Sequence, residues 1–377
     1  MNYWVTSVNG TRESGVSYWN DGATGRPQYE VTQALVAGVG ARTLDYYVYF
    51  WDDEPQDSLQ TRLDGQLAGI KRDDIVFIQF PMRSAAVYIE ALIQYLQEQI
   101  GAKCVGIVHD VQSWQRQAPA SLAADLTDPA SAAYREHAWL ARLDGLIVHN
   151  QQMAARLRRN FVVAGLPNAQ PMVPLGLFGY SAQRNTMAWR RELTPVIDYA
   201  GNLTKAGFLL AVPRNVQINV FGQELETHDQ LQALTNNQLP NITYQGNFDH
   251  EAIVQLLPGS FGLCWSSDSY PFITGRGGDY EKYNSPYKAA MYLAADEPLI
   301  VAKQAALAEF VEAHGIGIVL NDLSELTAQL AAVTPETYAA MLERVHRVGN
   351  LVRQNFPIKR AAMEMIDRLE WRVANEN

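Results

Sequence analysis

The chain has 377 residues, 47% of them hydrophobic and 19% charged, an ordinary globular composition whose length predicts two domains, with three as the alternative. A formal charge of −10 leaves no basic face for nucleic acid, which is excluded as the main partner. No charged stretch leads into an apolar signal core and no apolar run reaches about 18 residues, so the expectation is a cytoplasmic chain, neither exported by a signal peptide nor membrane-spanning.

In chain order, the β-rich run YWVTSV (3–8) leads into the glycine-rich loop VNGTRESGVSYWNDGATG (8–25). Gly10, Gly15, Gly22 and Gly25 permit close backbone approach, and Thr11, Arg12 and Ser14 supply donors. The loop lacks the G-x-G-x-x-G spacing and acidic partner of a dinucleotide fingerprint, so NAD is rejected. An idle surface loop and a ligand loop are both open readings, and length inside a compact domain favours function.

A helix near 27–38 comes next, then LDYYVYF (44–50), a helix near 57–69, DIVFIQF (74–80) and a helix over 84–99. KCVGIVHD (103–110), a helix over 131–142 and GLIVHN (145–150) complete the first series. Strands alternating with helices predict βαβ units and a parallel sheet, and continuous apolar runs suit strands buried on both faces. The fourth strand ends in His109-Asp110, where either side chain can serve as a general base on a hydroxyl; the structural alternative is that Asp110 caps the next segment. His149-Asn150 ends the following strand in the same way. Arg156, Arg158 and Arg159 in RLRRNF suit either peripheral contact with an anionic membrane or a solvated helix face.

After a less regular stretch (165–193), a second series begins: PVIDYAG (195–201), QINVFG (217–222), NITYQG (241–246), FGLCW (261–265), PLIVA (298–302) and GIGIVL (315–320), with two further helices at about 335–353 and 357–374. Two doubly wound halves in tandem follow, and in such sheets ligands bind beyond the carboxyl ends of strands. Cys104 and Cys264 each lie in an apolar strand, which predicts buried free thiols in a reducing compartment. The sequons at Asn9, Asn202 and Asn241 read as turn chemistry or chance.

Two motifs in this half suit an anion. In DYAGNLTKAGFL (198–209), a strand ends at Gly201, and Asn202, Thr204 and Lys205 lead into a helix. In GDYEKYNSPYKAAMYLAADEPLIVAK (278–303), Ser285 is expected as the N-cap and Pro286 as the first helical residue, which puts Lys288 in the first turn. A cation there opposes the helix dipole unless an anion arrives; a lysine snorkelling off the helix end is the alternative. Glu309, in the helix before the last strand, suits ribose hydroxyls or a solvated face. Metal chemistry has little support: the seven histidines are scattered without H-x-x-x-H, and the pairs Asp52-Asp53 and Asp73-Asp74 lie in a solvated run and before a strand. P-loop and nucleophile-elbow motifs are absent.

YAGNLTKAGFL, YQGNF, GSFGLCW, the block 279–320, and in the amino half SVNG, RLDGQLAGIKRDDIVFIQFP and IVHDV together resemble a bacterial glycosyltransferase family. That family includes the accessory glucosyltransferases of serine-rich adhesin glycosylation and the lactic-acid-bacterial beta-1,6-galactofuranosyltransferases. The resemblance implies the GT-B fold, α/β, with two Rossmann-like domains facing each other across a cleft: an acceptor domain at 1–182, a nucleotide-sugar domain at 183–355, and a final helix at 356–377 crossing back to the first. It further implies Lys205 and Lys288 on the donor diphosphate, helped by Asn202, Asn284 and Ser285, with Tyr283 and Tyr287 lining the pocket and Glu309 on the ribose. Gly10, Thr11 and Arg12 would form a donor or acceptor loop.

Many retaining GT-B enzymes carry paired glutamates before this helix; here Lys288 stands where the second would fall, which fits an inverting mechanism with Glu13, His109 or Asp110 as base. The expected activity is metal-independent, cofactor-free transfer of a hexose, galactofuranose before glucose, from a UDP-sugar to a glycan in surface-polysaccharide or adhesin assembly. It is expected in the cytoplasm, with peripheral contact at the inner membrane face as an open alternative, and in a homo-oligomer. A nucleotide-sugar epimerase and a non-catalytic sugar-nucleotide-binding subunit are the alternatives.

Overall fold

A computed structural model of the chain describes residues 1–8, 25–116, 119–184, 192–224 and 231–371. The chain divides into two compact units, one of Met1–Leu175 with Phe356–Asn377 and one of Gly176–Asn355. The first junction thus falls at Leu175/Gly176, ahead of the expected 182/183.

The first unit is built on six parallel strands: β1 (Tyr3–Val8), β2 (Arg42–Tyr46), β3 (Ile75–Phe80), β4 (Lys103–Val108), β5 (Gly145–Val148) and β6 (Met172–Pro174), in the order β2-β1-β3-β4-β5-β6. The interior strand IVFIQF is buried at every position, as apolar runs covered on both faces should be, whereas the edge strand RTLDY alternates. Sequence patterning missed β6. Its three residues end in Pro174, and it pairs with β5 alone, an edge position where a missing N–H is tolerated. β2 ends at Tyr46, so Tyr47–Phe50, expected to continue the strand, belong to the following loop.

The terminal helix Phe356–Ile366 packs on this unit. Arg360 donates to the carbonyls of Pro174 (2.6 Å) and Leu175 (3.2 Å), and beyond the helix Lys103 Nζ meets Glu370 Oε1 at 2.6 Å.

The second unit carries β7 (Val196–Ala200), β8 (Gln217–Phe221), β9 (Ile242–Gly246), β10 (Phe261–Cys264), β11 (Leu299–Ala302) and β12 (Gly317–Leu320), all parallel, in the order β12-β11-β10-β7-β8-β9. Its core packs Ile197, Tyr199, Phe208, Phe261, Leu263 and Trp265 with Ile300 and Leu320. The connection order reverses between β7 and β10, the switch point at which open sheets take ligands beyond their carboxyl ends.

Candidate functional site

The helix Tyr287–Ala294 starts one residue later than expected. Pro286 is its N-cap with φ −65° and ψ 136°, an extended geometry, and it has no side-chain group to cap with. Ser285 is buried one position ahead of the N-cap. Lys288 nevertheless stands in the first turn, beyond the carboxyl end of β10 and so at the switch point.

What holds that turn in place is Tyr292, one helical turn further on. Its hydroxyl accepts the Ala200 N–H at 2.7 Å and donates to the Asp198 carbonyl at 3.2 Å, tying the helix to the end of β7. Only glycine at position 262 makes this possible, because a Cβ there would lie 2.2 Å from the Tyr292 ring. At the same edge, Gly222 has φ +157°, and a Cβ on it would meet the Gly201 carbonyl oxygen at 2.4 Å, so the turns after β7 and β8 pack backbone to backbone.

The Lys288 ammonium lies 4.5 Å from the Tyr199 ring centroid, and a Cβ built on Gly201 would be 3.8 Å from Nζ. Half-buried Lys288 therefore overlooks a bare glycine backbone at the end of β7. Burial disfavours its charge, but Tyr199, Cys264 and Glu281 around it outweigh that and raise its pKa above the ordinary lysine value.

Glu281, which the sequence reading did not single out, is 3% exposed, and no hydrogen bond of good geometry reaches either of its carboxylate oxygens among the described residues. Burial pushes its pKa up to about 8, against the opposing pull of Lys288 and Ser266, so near neutrality it is largely protonated. Ser266 lies beside Glu281, whereas Asn284 Oδ1 is a buried acceptor without a partner among the described residues. A buried acceptor in the position of Asn284 Oδ1 is rare and calls for a donor. The signal available in sequence was the position of Glu281 seven residues before Lys288 in the same short block.

The segment after β7 is a 3-10 turn, Leu203–Lys205, instead of an α-helix. Asn202 Oδ1 accepts both the Thr204 N–H (3.0 Å) and the Thr204 hydroxyl (2.7 Å), a local closure that competes with helix propagation. Lys205 is exposed at the same carboxyl edge as Lys288. Tyr283 is half-buried. Tyr287, expected to line a pocket, packs its ring in an aromatic cluster with Tyr180 (5.2 Å), Phe178 (6.2 Å) and His250 (6.4 Å), which braces the first turn. Glu309 is exposed in the first turn of the helix Ala308–His314, beyond the carboxyl end of β11.

In the first unit, His109 is 8% exposed, and its Nε2 lies 2.8 Å from Gln79 Oε1. The Gln79 amide is oriented by its own donation to the Thr6 carbonyl (2.8 Å) and to Thr32 Oγ1 (3.0 Å), so Oε1 faces the ring and Nε2 carries the imidazole proton. His149 donates in turn to the His109 carbonyl at 2.9 Å. Burial, and for His109 the neighbouring His149, drives the two pKa values down to about 3 and about 4. His109 is thus a neutral, structurally engaged ring with low proton affinity. Asp110 is half-exposed beyond β4, and its Oδ1 accepts from Gln115 Nε2 at 2.6 Å. Gly10, Thr11, Arg12 and Glu13 lie outside the described residues.

Two of the three arginines considered for a membrane are engaged within the unit. Arg156 stacks over Trp114 at 4.2 Å, and Arg158 donates to the carbonyls of Asn168 and Gln170. Among the described residues, no helix is long and apolar enough to cross a membrane, and no three His, Cys, Asp or Glu side chains converge as a metal site. Both cysteines are buried and free, and burial raises their pKa values.

Comparison with known proteins bears on this geometry. Family models of the glucosyltransferase 3-like N-terminal and C-terminal domains match residues 2–171 and 197–365. Among curated proteins, the chain is 24% identical to the beta-1,6-galactofuranosyltransferase WbbI of Escherichia coli (strain K12), covering 82% of this chain and 84% of that one. It is also 24% identical to glucosyltransferase 3 of Streptococcus parasanguinis, covering 97% and 98%. Solved structures with the same fold include a sucrose-phosphate synthase from Thermosynechococcus elongatus (TM-score 0.60, 15% identity, 98% of each chain) and a glycosyltransferase from Rickettsia africae (TM-score 0.62, 11% identity, 98% and 99%).

Proposed function

The chain belongs to the glucosyltransferase 3-like family and is a glycosyltransferase of the GT-B fold, and from that premise we propose that it moves a hexose from a UDP-sugar to a glycan acceptor, with inversion and without a metal. The observation that carries this reading is Lys288: a half-buried, charged ammonium in the first turn of a helix at the sheet's switch point, above the bare backbone of Gly201.

A diphosphate fits that arrangement. The first-turn N–H groups and the ammonium converge on anionic oxygens, with Lys205 supplying a second, exposed cation. Negative charge developing on the departing UDP is stabilised there without solvent reorganisation. Asn284 offers an unsatisfied oxygen, and Glu281, protonated near neutrality, a carboxyl group that can donate, for sugar hydroxyls, while Asn202, Ser285 and Tyr283 shape the surrounding turns and Glu309 serves the ribose. Inversion requires a base on the acceptor. Asp110 is our choice over His109, because a ring with a pKa of about 3 that spends its Nε2 proton on Gln79 is a weak proton acceptor at neutral pH.

Galactofuranose is the preferred sugar, in keeping with the name of the Escherichia coli relative; the streptococcal name keeps glucose as the second reading. A role in surface-polysaccharide or adhesin glycosylation, a cytoplasmic location and assembly as a homo-oligomer belong to the same proposal. The experiment is a screen of UDP-galactofuranose, UDP-galactopyranose and UDP-glucose with glycoside acceptors, with product linkage read by NMR. A new glycosidic bond of inverted configuration is expected. A free UDP-sugar isomer would identify an epimerase, and UDP binding without transfer to any acceptor would identify a non-catalytic subunit.

A further inference from the structure

We propose that the loop after β2, through Trp51, Phe50 and Tyr47, is a stacking platform for the saccharide rings of the acceptor. This rests on the reading that the chain transfers sugar to a glycan. The loop opens at the carboxyl end of β2, the strand that pairs directly with β1 beside the first sheet's switch point, where β1 lies between β2 and β3. Within five residues it presents Tyr47 at 56%, Phe50 at 65% and Trp51 at 56% exposure. Exposed aromatic surface on this scale does nothing for the unit's own core, and such patches mark binding sites.

The loop's base is built to hold Trp51 in place. Tyr49, in their midst, is buried at 5% exposure, and its hydroxyl accepts from Arg62 (2.6 Å) and donates to Glu54 (3.0 Å). Arg62 closes the triangle on Glu54 at 2.5 Å and lies over the Tyr49 and Tyr88 rings at 4.9 and 4.8 Å. Burial pushes the Tyr49 and Tyr88 hydroxyls up to about 12, so neither ionises in the working range. Trp51 packs its ring at 4.7 Å from Tyr49, and Asp52 accepts the Val87 N–H at 3.2 Å, which pins the far side of the loop. A ring fixed in advance binds at a reduced ordering cost.

The chemistry around them selects a sugar. Aromatic faces take the C–H face of a hexose ring, and the exposed carboxylate of Asp53 next to Trp51 accepts hydroxyls from its edge. A lipid surface is disfavoured, because Asp52, Asp53 and Glu54 follow directly and the chain carries −10, which anionic headgroups repel.

The test uses the full chain without donor. Saturation-transfer NMR is run with methyl glycosides of glucose and galactose and their β-linked disaccharides, on wild type, Trp51→Ala and Trp51→Phe, with thermal melts to verify folding. Saturation should reach the ring protons of at least one probe, fall about fivefold or more in Trp51→Ala, and largely return in Trp51→Phe, with UDP affinity equal in all three. No transfer to any probe from wild type, or an undiminished signal in Trp51→Ala, overturns the proposal. So does conversion of an oligomer to a smaller species by Trp51→Ala in light scattering, which makes the loop a copy-to-copy interface. Loss of flotation with phosphatidylcholine vesicles in that variant, which makes it a membrane contact, also overturns it. With no donor in the sample, failure of UDP binding or sugar transfer would overturn the functional reading while leaving this result standing.

Discussion

Replacing Lys288 with methionine removes the ammonium and keeps most of the stem that lies on Tyr199, so the fold and the site can be separated. On the fold, two small terms oppose each other. Removing a cation from the first turn of a helix relieves a dipole clash of about 0.3–1 kcal/mol. Losing the contact with Tyr199, 4.5 Å from Nζ, costs about 0.5–2 kcal/mol. The nearby carboxyl of Glu281 adds little at neutral pH because, with a pKa of about 8, it is mostly protonated there. Net stability should therefore move by no more than about 2 kcal/mol. On the site, each hydrogen bond to a charged phosphate oxygen contributes about 1.5–3 kcal/mol, which is about 10- to 150-fold in Kd. Isothermal calorimetry with UDP, beside a thermal melt, reads both quantities. Lys288→Met should melt near wild type and bind UDP at least about tenfold more weakly. A UDP Kd within about twofold of wild type in a folded variant would refute the assignment of the diphosphate to this helix.

Further outcomes follow from the titrations and the base. Glu281 holds in the folded state, up to about pH 8, a proton that the unfolded chain releases near 4.3, so stability falls as pH rises between those values by about 1.4 kcal/mol per unit. Glu281→Gln should flatten that slope in chemical denaturation series at pH 5 to 8, and an unchanged slope would disprove the raised pKa. His109 and His149 bind protons more weakly folded than unfolded, so stability is lost as pH drops from about 6.5 toward 4, again by about 1.4 kcal/mol per unit for each ring. His149→Asn should shallow that acid limb, and a limb as steep as wild type would contradict neutral burial. Asp110→Asn should lower kcat about 100-fold or more with UDP affinity retained; near-normal kcat would remove Asp110 as the base. EDTA should leave transfer unchanged, and strong inhibition reversed by a divalent ion would reinstate a metal.

Much of this architecture was readable because buried parallel strands leave continuous apolar runs: IVFIQF and KCVGIV, in their helix-strand alternation, could be little else. The edges were harder. β6 is too short, and too close to Pro174, to show a period, and β2 stops at Tyr46 although the aromatic run continues, because Tyr49 turns inward to meet Arg62 and Glu54. Contacts that are local in sequence, such as Lys288 in a first turn, were legible from Ser285 and Pro286, to within one residue. Glu281 was not, since its role depends on burial and on the proximity of Lys288, which is a property of packing and leaves no periodic mark. His109 shows what a strand-end histidine leaves unread: the sequence gives its place at the carboxyl edge, but its burial and its bond to Gln79, supplied by a neighbouring strand, come only from packing.

The central claim is that the second unit binds a nucleoside diphosphate at the end of β7, using protein cations instead of a metal. Calorimetric titration of the wild-type chain with UDP and with uridine, both in EDTA, tests it most directly. UDP should bind with at least about a hundredfold preference over uridine, the worth of two or more charge-assisted phosphate contacts. Equal affinity for the two, or UDP binding that appears only when a divalent ion is added, would contradict it.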